Sequence, residues 1–376
     1  MRSPPEPATA AATRACDACL RRTRLLELLA PHVERARHER RLGQLLALSD
    51  EDLLRAIAGR KRTWFEAAIE RFSPVDARKR VATAGLTALC RHDDDYPAEL
   101  AVADDAPAVL HVAGDAAALP APDEVAVAIV GARRATPYGL EVARALGRGL
   151  AAARVTVVSG MALGIDAAAH TGALEAGGPT IAVLAGGADV PYPRSRAPLY
   201  RRIVGGGGCA LSEMPAGFAP FKWGFPARNR IIAGLSAATI VVEAAERSGS
   251  LITAELAQDL GRLVAAVPGP VTGRMSAGTN ALLRDGAELV RDAQDALDAV
   301  FGPGARLLAA GPDPAALGPE LRALLERFGG ASATPATLLR PGDDVDRVLA
   351  GLAELELLGF LRRGPGGAYV RATGRT

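Results

Sequence analysis

The rhythm of apolar positions changes twice along this chain, and the changes divide it into segments. From about residue 20 to 88 the chain reads as helical and basic, with short Leu-rich segments at 20–29, 41–48, 50–58 and 63–72. Ser49, ahead of Asp50-Glu51-Asp52, predicts a helix N-cap. The segment around 20–38 reads as one helix broken at Pro31, and Thr83 with Gly85-Leu86 hints at a helix–turn–helix. From residue 125 onward the pattern becomes short apolar, β-branched runs, at 125–130, 155–158 and 180–184, alternating with Ala/Leu-rich helical stretches at 138–152 and 164–176. Further strands are expected at 209–211, 239–242, 263–267 and 288–290, with a helix at 281–285 and an edge strand at 109–112. Past a Gly/Pro/Ala linker, helices at 320–328, 335–339 and 345–358 precede a strand, a Gly-rich turn and a strand.

Strand–helix alternation of this kind predicts an α/β fold with a doubly wound parallel sheet. The predicted organisation is a disordered leader (1–15), a small helical domain (16–90), the sheet domain (91–302), a linker (303–318) and a C-terminal domain (319–376). Three helices and a hairpin outline a winged helix in the last of these. Its final helix, VDRVLAGLAELELLGF, is apolar and acidic, which favours a protein contact over groove reading.

Ligands of doubly wound sheets bind beyond the carboxyl ends of the strands. Here the first three strands end in Gly131-Ala132-Arg133, Ser159-Gly160 and Ala185-Gly186-Gly187. One such turn would be only a tight connection. Three in register predict an edge of exposed amides with Arg133 and Arg134 beside it, suited to phosphate. Tyr192-Pro193-Arg194 falls on the same edge. The segment FKWGFPARNRIIAGLS (221–236) gathers Lys222, Trp223, Phe225, Arg228, Asn229 and Arg230. Cations among aromatics at a helix start fit a single nucleic-acid strand, through phosphate contacts and base stacking. The bland alternative makes Trp223 and Phe225 core and the arginines solvated. Ser248-Gly249-Ser250 reads as an anion nest or simply an N-cap, and the 271–280 loop as a cover for the site.

Composition narrows the options. With 376 residues and 49% hydrophobic content the chain can fold as two or three domains. No apolar run reaches membrane-spanning length and no signal-peptide core begins the chain, so a cytoplasmic protein is expected, with no membrane partner. The net charge of +2 does not itself demand an anionic partner. Neither a P-loop nor a complete dinucleotide fingerprint is present, so no cofactor is expected. His170 lacks a nucleophile pattern and reads as structural. Four cysteines, Cys16, Cys19, Cys90 and Cys209, do not form a disulfide framework. Cys16-x-x-Cys19 with His32 and His38 formally fits a zinc-finger spacing. The helical reading of 20–38, with no hairpin before it, weighs against a metal and leaves surface or oxidation-prone thiols.

The ordered motifs VGAR (130–133), SGMALGID (159–166), AVLAGGADVPYP (182–193), SEMPAG (212–217), FPARNRIIAGLS (225–236), SGSLITA (248–254) and VPGP (267–270) resemble those of the DNA-processing DprA (Smf) family, over roughly residues 92–295. The helical front and winged-helix tail resemble the family's accessory domains, the front being SAM-like. The resemblance implies an extended Rossmann-like fold and a non-enzymatic protein that binds single-stranded DNA without sequence preference, dimerises through its Rossmann domain and loads RecA. It implies DNA contacts from Arg133, from Arg194 where many members have Lys, and from Lys222 and Phe225, with Arg228 and Asn229 bracing the pocket. Gly131, Ser159, Gly160, Gly186, Arg230 and Ser248, Gly249 and Ser250 complete the expected DNA-binding set, with no catalytic or metal residues. Ala132 replaces a common Ser. The alternative is a Rossmann-like enzyme that hydrolyses nucleoside monophosphates. Its P-G-G-x-G-T-x-x-E run is missing, and Glu243 is the closest acidic residue at a strand end. A third reading makes the central domain a nucleotide sensor.

Overall fold

The structure, a computed structural model, describes residues 13–36, 42–308, 317–328, 332–363 and 367–371. They fall into two compact units, Met1–Leu307 and Leu308–Thr376. Of the expected leader, residues 1–12 lie outside the described residues. Thr13–Ala15 are not a free tail: Thr13 bridges Ala88 and Ala15 is buried.

The front of the first unit is helical: α1 (Asp17–Ala36), α2 (Leu42–Ala47), α3 (Asp50–Ile57), α4 (Arg62–Glu70) and α5 (Pro74–Thr83). Ser49 caps α3 as expected, its hydroxyl accepting from the Asp52 amide at 3.1 Å. The expected break at Pro31 does not occur, and α1 runs through it. An interior proline costs about 3 kcal/mol. Burial of Leu25, Leu26, Leu29, Ala30 and Val33 against Leu53, Phe65 and Trp223 offsets that cost. The suggested helix–turn–helix is also absent. Gly85 turns the chain at φ 66°, and the next residues pair as a strand.

The rest of the unit is built on a sheet, in chain order β1 (Thr87–Cys90), α6 (Ala98–Ala101), β2 (Val109–Gly114), β3 (Ala126–Val130), α7 (Pro137–Ala152), β4 (Thr156–Ser159), α8 (Ile165–Glu175), β5 (Thr180–Val183), α9 (Ala197–Gly205), β6 (Cys209–Ser212), α10 (Gly224–Gly234), β7 (Ala238–Val241), α11 (Gly249–Asp259), β8 (Leu263–Ala266), α12 (Ala277–Arg284), β9 (Glu288–Leu289) and α13 (Ala293–Phe301). Among the described residues the strand order is β1-β2-β6-β5-β4-β3-β7-β8-β9. All neighbours from β6 to β9 are parallel, whereas β2 pairs antiparallel with both β6 and β1. The strand expected at the edge, β2, is therefore internal. Thr87–Cys90 takes the edge, hidden from sequence reasoning by its helical surroundings.

Parallel strands covered on both faces need apolar residues on both. Ala128, Val130, Ile181, Val183 and Leu211 pack with Ile231 and Ile232 of α10 and Ala254 and Ala257 of α11. The alternate residues Ala182 and Ala210 pack with Ala167 of α8 and Leu199 and Ile203 of α9. From β3 the chain steps outward through β4, β5 and β6, then crosses back to β7 on the other side of β3. This is the reversal of a doubly wound sheet.

The second unit holds α14 (Pro319–Glu326), β10 (Ser332–Ala333), α15 (Pro335–Leu338), α16 (Val345–Leu357), β11 (Leu361–Arg363) and β12 (Tyr369–Arg371). Its strands pair antiparallel in the order β10-β12-β11. Leu324, Leu325, Leu338, Leu352, Leu355 and Tyr369 form its core. Of the expected linker, residues 309–316 lie outside the described residues, as do residues 364–366 of the Gly-rich turn.

Arg230 of α10 is buried and paired with Glu213, with Asp105 at 3.6 Å. Removing one partner of such a pair leaves an uncompensated charge and costs about 3–5 kcal/mol. Arg230→Ala is expected to lower the urea midpoint accordingly, whereas the exposed Arg134→Ala is expected to stay within about 0.5 kcal/mol of wild type.

Candidate nucleic-acid interface

Arg228 is the centre of the carboxyl edge. Its guanidinium is buried and donates to the Gly160 carbonyl and, at 2.7 Å, to the Val183 carbonyl, so it joins the ends of β4 and β5. Asp166, at the start of α8, lies 3.8 Å away. Its carboxylate also accepts from the amides of Gly160 (3.2 Å) and Ala162 (3.3 Å). Burial pushes the Asp166 carboxyl above its ordinary range, against the pull of Arg228 and of those two amides. A Cβ at residue 160 would collide with the Arg228 guanidinium, which explains the glycine. The next residue, Met161, is fully buried and held at φ 55°. Left-handed backbone at a bulky residue is the kind of strain that functional turns retain.

Over this frame lies a cavity of about 100 Å³, lined by Arg133, Gly160, Ala162, Leu163, Leu184, Ala185, Tyr192, Pro193, Phe225 and Arg228. Phe225 is half-buried and Tyr192 exposed, with ring centres 5.3 Å apart. The Arg133 guanidinium sits 5.4 Å from the Phe225 ring centre. Arg133, Arg194 and Lys222 are exposed and form no ion pair among the described residues. Arg133 and Arg228 together face the single carboxylate of Asp166, so the pocket carries net positive charge.

The other expected residues separate into distinct roles. Trp223 is core, packed against α1, while Phe225 faces the cavity; each half of the sequence alternative holds for one ring. Arg230, expected at the interface, instead points into its ion pair with Glu213 and is not in the cavity lining. Ser159 is fully buried and donates to the Ile129 carbonyl at 2.6 Å, and the Gly160 amide is taken by Asp166. The Ser159-Gly160 turn thus offers no free hydroxyl or amide to a phosphate, contrary to expectation; it positions Arg228. Ser248 serves as N-cap of α11, its hydroxyl accepting from the Ser250 amide and meeting the Ser250 hydroxyl at 2.8 Å. Ser250 is buried, Gly249 is exposed, and the Asn229 amide group donates to the Gly249 carbonyl at 3.4 Å. Gly186 is buried beside the carbonyl of Phe218. Gly131 packs against Ile165 and the Glu243 carbonyl.

Sequence reasoning undervalued Glu243. Buried at the end of β7, it accepts from the Thr136 amide (2.8 Å) and hydroxyl (2.6 Å). Thr136 in turn accepts from the Gly139 amide. A Cβ at residue 139 would strike the Glu243 carboxylate. The start of α7, where a dinucleotide-binding sheet holds a pyrophosphate, already has a protein carboxylate. The open cavity therefore lies on the β3–β5 side of that crevice. His170 lies behind the frame, fully buried, with Nδ1 2.7 Å from the Thr180 hydroxyl. That hydroxyl donates to the Val157 carbonyl, so Nδ1 carries the proton.

Fold and site together define a Rossmann-type α/β protein with a cationic, aromatic-lined groove on its carboxyl edge. The chain belongs to the DNA recombination-mediator protein A family, whose model matches residues 87–301. It is 45% identical over 247 residues to a Mycobacterium tuberculosis protein named for DNA processing protein DprA, covering 63% of each chain. It is 39% identical over 254 residues to protein Smf of Escherichia coli, covering 65% of this chain and 67% of that one. The chain thus spans somewhat under two thirds of the length of the first relative. The DprA structure from Streptococcus pneumoniae superposes with a TM-score of 0.60 at 35% identity, covering 74% of this chain and 95% of that one. The Helicobacter pylori DNA processing protein A, described for its single-stranded DNA binding mode, gives 0.51 at 33% identity over 57% and 94%. No helix among the described residues is long and apolar enough to cross a membrane.

The buried imidazoles make stability depend on pH. Burial pushes His111 down to about 4 and His170 down to about 3, so both are neutral in the folded chain well below the usual value. Unfolded, each binds a proton near pH ~6.5, so the unfolded state takes up protons first as pH falls. Stability is therefore lost downward from about pH 6.5, each group contributing a slope approaching ~1.4 kcal/mol per pH unit until its folded value is reached. Urea midpoints between about pH 6.5 and 5 are expected to fall steadily, and less steeply in His111→Leu.

Proposed function

We propose that this chain binds single-stranded DNA without sequence preference and loads the recombinase RecA onto it. One observation carries the reading: the Phe225 ring, with Tyr192 beside it and the unpaired Arg133 guanidinium 5.4 Å from its centre, on an open cationic edge. Ring faces stack any base and guanidinium grips any phosphate, so the pairing suits a strand of arbitrary sequence. Exposed Arg194 and Lys222 would extend the track, and Arg228, Asp166 and Asn229 hold it in shape. The cavity of about 100 Å³ is well below the roughly 300–1,000 Å³ of enclosed small-molecule sites, which suits a passing strand better than a sequestered substrate.

The role is binding and delivery rather than catalysis. The enzymatic alternative needs a free carboxylate at a strand end. Glu243 is buried and already accepts from Thr136 twice. The accessory parts fit the same reading. The front helices are SAM-like, and the second unit is a winged helix with a protein-contact role, supported by Val345, Leu349 and Leu357 exposed on α16. A cytoplasmic homodimer would lengthen the charged track across two copies.

Fluorescence anisotropy with labelled single-stranded and duplex oligonucleotides over a salt series tests the pocket. The single strand is expected to bind more tightly. Arg133→Ala is expected to weaken binding roughly tenfold and reduce the log–log salt slope by about 0.7, one phosphate contact. Phe225→Ala is expected to lose about 1–3 kcal/mol of stacking at an unchanged slope. Wild-type affinity in both variants would sink the assignment. Release of free base from nucleoside monophosphates would restore the enzyme. RecA-catalysed ATP hydrolysis on a strand coated with single-strand-binding protein, started sooner by this chain, tests loading.

A further inference from the structure

We propose that Cys16, Cys19, Cys90 and His92 bind one structural zinc ion. Their ligand atoms, three sulfurs and one imidazole nitrogen, all lie within 4.8 Å of one another. The His92 Nδ1 is 3.6 Å from the Cys16 sulfur, 3.5 Å from that of Cys19 and 3.9 Å from that of Cys90. A tetrahedral zinc with bonds of about 2.3 Å to sulfur and about 2.0–2.1 Å to nitrogen places sulfur and nitrogen about 3.6 Å apart. The imidazole nitrogen thus already stands near that distance from each of the three sulfurs. The four groups enclose room for a single ion, too little for a cluster with bridging sulfides.

The surroundings suit that charge. Cys16 precedes α1 and Cys19 lies in its first turn, so the thiolates face the positive end of a 20-residue helix. The Cys16 amide donates to the Cys90 sulfur at 3.5 Å. Three thiolates and one imidazole are soft donors that favour zinc over magnesium or calcium, and four protein ligands close the sphere, which marks a structural rather than catalytic ion. Cys90 ends the edge strand β1 and His92 lies just past it. The ion would fasten the start of the helical front to the edge of the sheet, beside the Thr13–Ala88 bridge.

This corrects the sequence reading in its partners. His32 packs edge-on against Phe65, with ring centres 5.1 Å apart, and His38 lies outside the described residues. Nor are the thiols all on the surface, since Cys19 and Cys90 are buried. The true partners sit more than seventy residues from the Cys-x-x-Cys pair, in a Cys-x-His arrangement that only the pairing of β1 brings near.

The test is elemental analysis of the full chain purified under reducing conditions. One zinc per chain is expected, kept in Cys209→Ser, whose cysteine lies outside the cluster, and lost in Cys16→Ser and Cys90→Ser. Because Cys90→Ser touches the sheet edge, a second measurement uses the wild-type chain alone. Stripped of metal and titrated with cobalt(II), it is expected to show thiolate-to-cobalt charge-transfer bands and tetrahedral d–d bands saturating at one equivalent. Adding zinc to the stripped chain is expected to raise its thermal midpoint. A folded wild-type chain with no zinc and no thiolate–cobalt bands overturns the proposal, as does a disulfide among Cys16, Cys19 and Cys90 in the reduced preparation.

Discussion

The carboxyl edge depends on one buried guanidinium. Arg228 reaches from α10 under the ends of β4 and β5, satisfies the carbonyls of Gly160 and Val183, and faces Asp166. Burying a charge is costly unless it is paired and hydrogen-bonded, and the features around the two terminal nitrogens of Arg228 meet that need while its Nε is left without a hydrogen-bond partner among the described residues. Gly160 makes room for the guanidinium, Met161 accepts a left-handed turn, and Asp166 supplies the countercharge while holding two amides of the turn. The same α10 then presents Phe225 upward into the cavity and sends Arg230 down into a separate ion pair with Glu213. A helix tied at both depths places its aromatic ring with little freedom.

A second carboxylate decides where the site lies. Glu243 caps α7 through Thr136 and fills the crevice where dinucleotide-binding sheets hold a pyrophosphate. The fold keeps the Rossmann reversal while the open cavity lies on the β3–β5 side.

Much of this was legible in one dimension. The β-branched runs marked the strands of the sheet other than β1 within a residue or two, because a parallel strand buried on both faces reads as a nearly continuous apolar run. That Arg133 and Phe225 share the carboxyl edge was legible because a strand end and a helix start fix where such residues emerge. The failures have physical causes too. Pro31 leaves α1 intact because packing on five buried side chains outweighs a local cost. Ser159 and the Ser159-Gly160 turn look like phosphate donors by type, but a hydroxyl's partner is chosen by its neighbours, and here they are Ile129 and Asp166.

The sequence by itself determined the alternation of strands and helices and the family, since each follows from local periodicity or from residues close together in the chain. Only the tertiary structure decided the rest. It turned Arg230 inward and Phe225 outward on one helix, and set Glu243 against α7. It also carried Cys90 and His92 to Cys16 and Cys19. Each of these depends on which distant residue arrives at a given place, and that is fixed by strand pairing and helix packing rather than by any pattern along the chain.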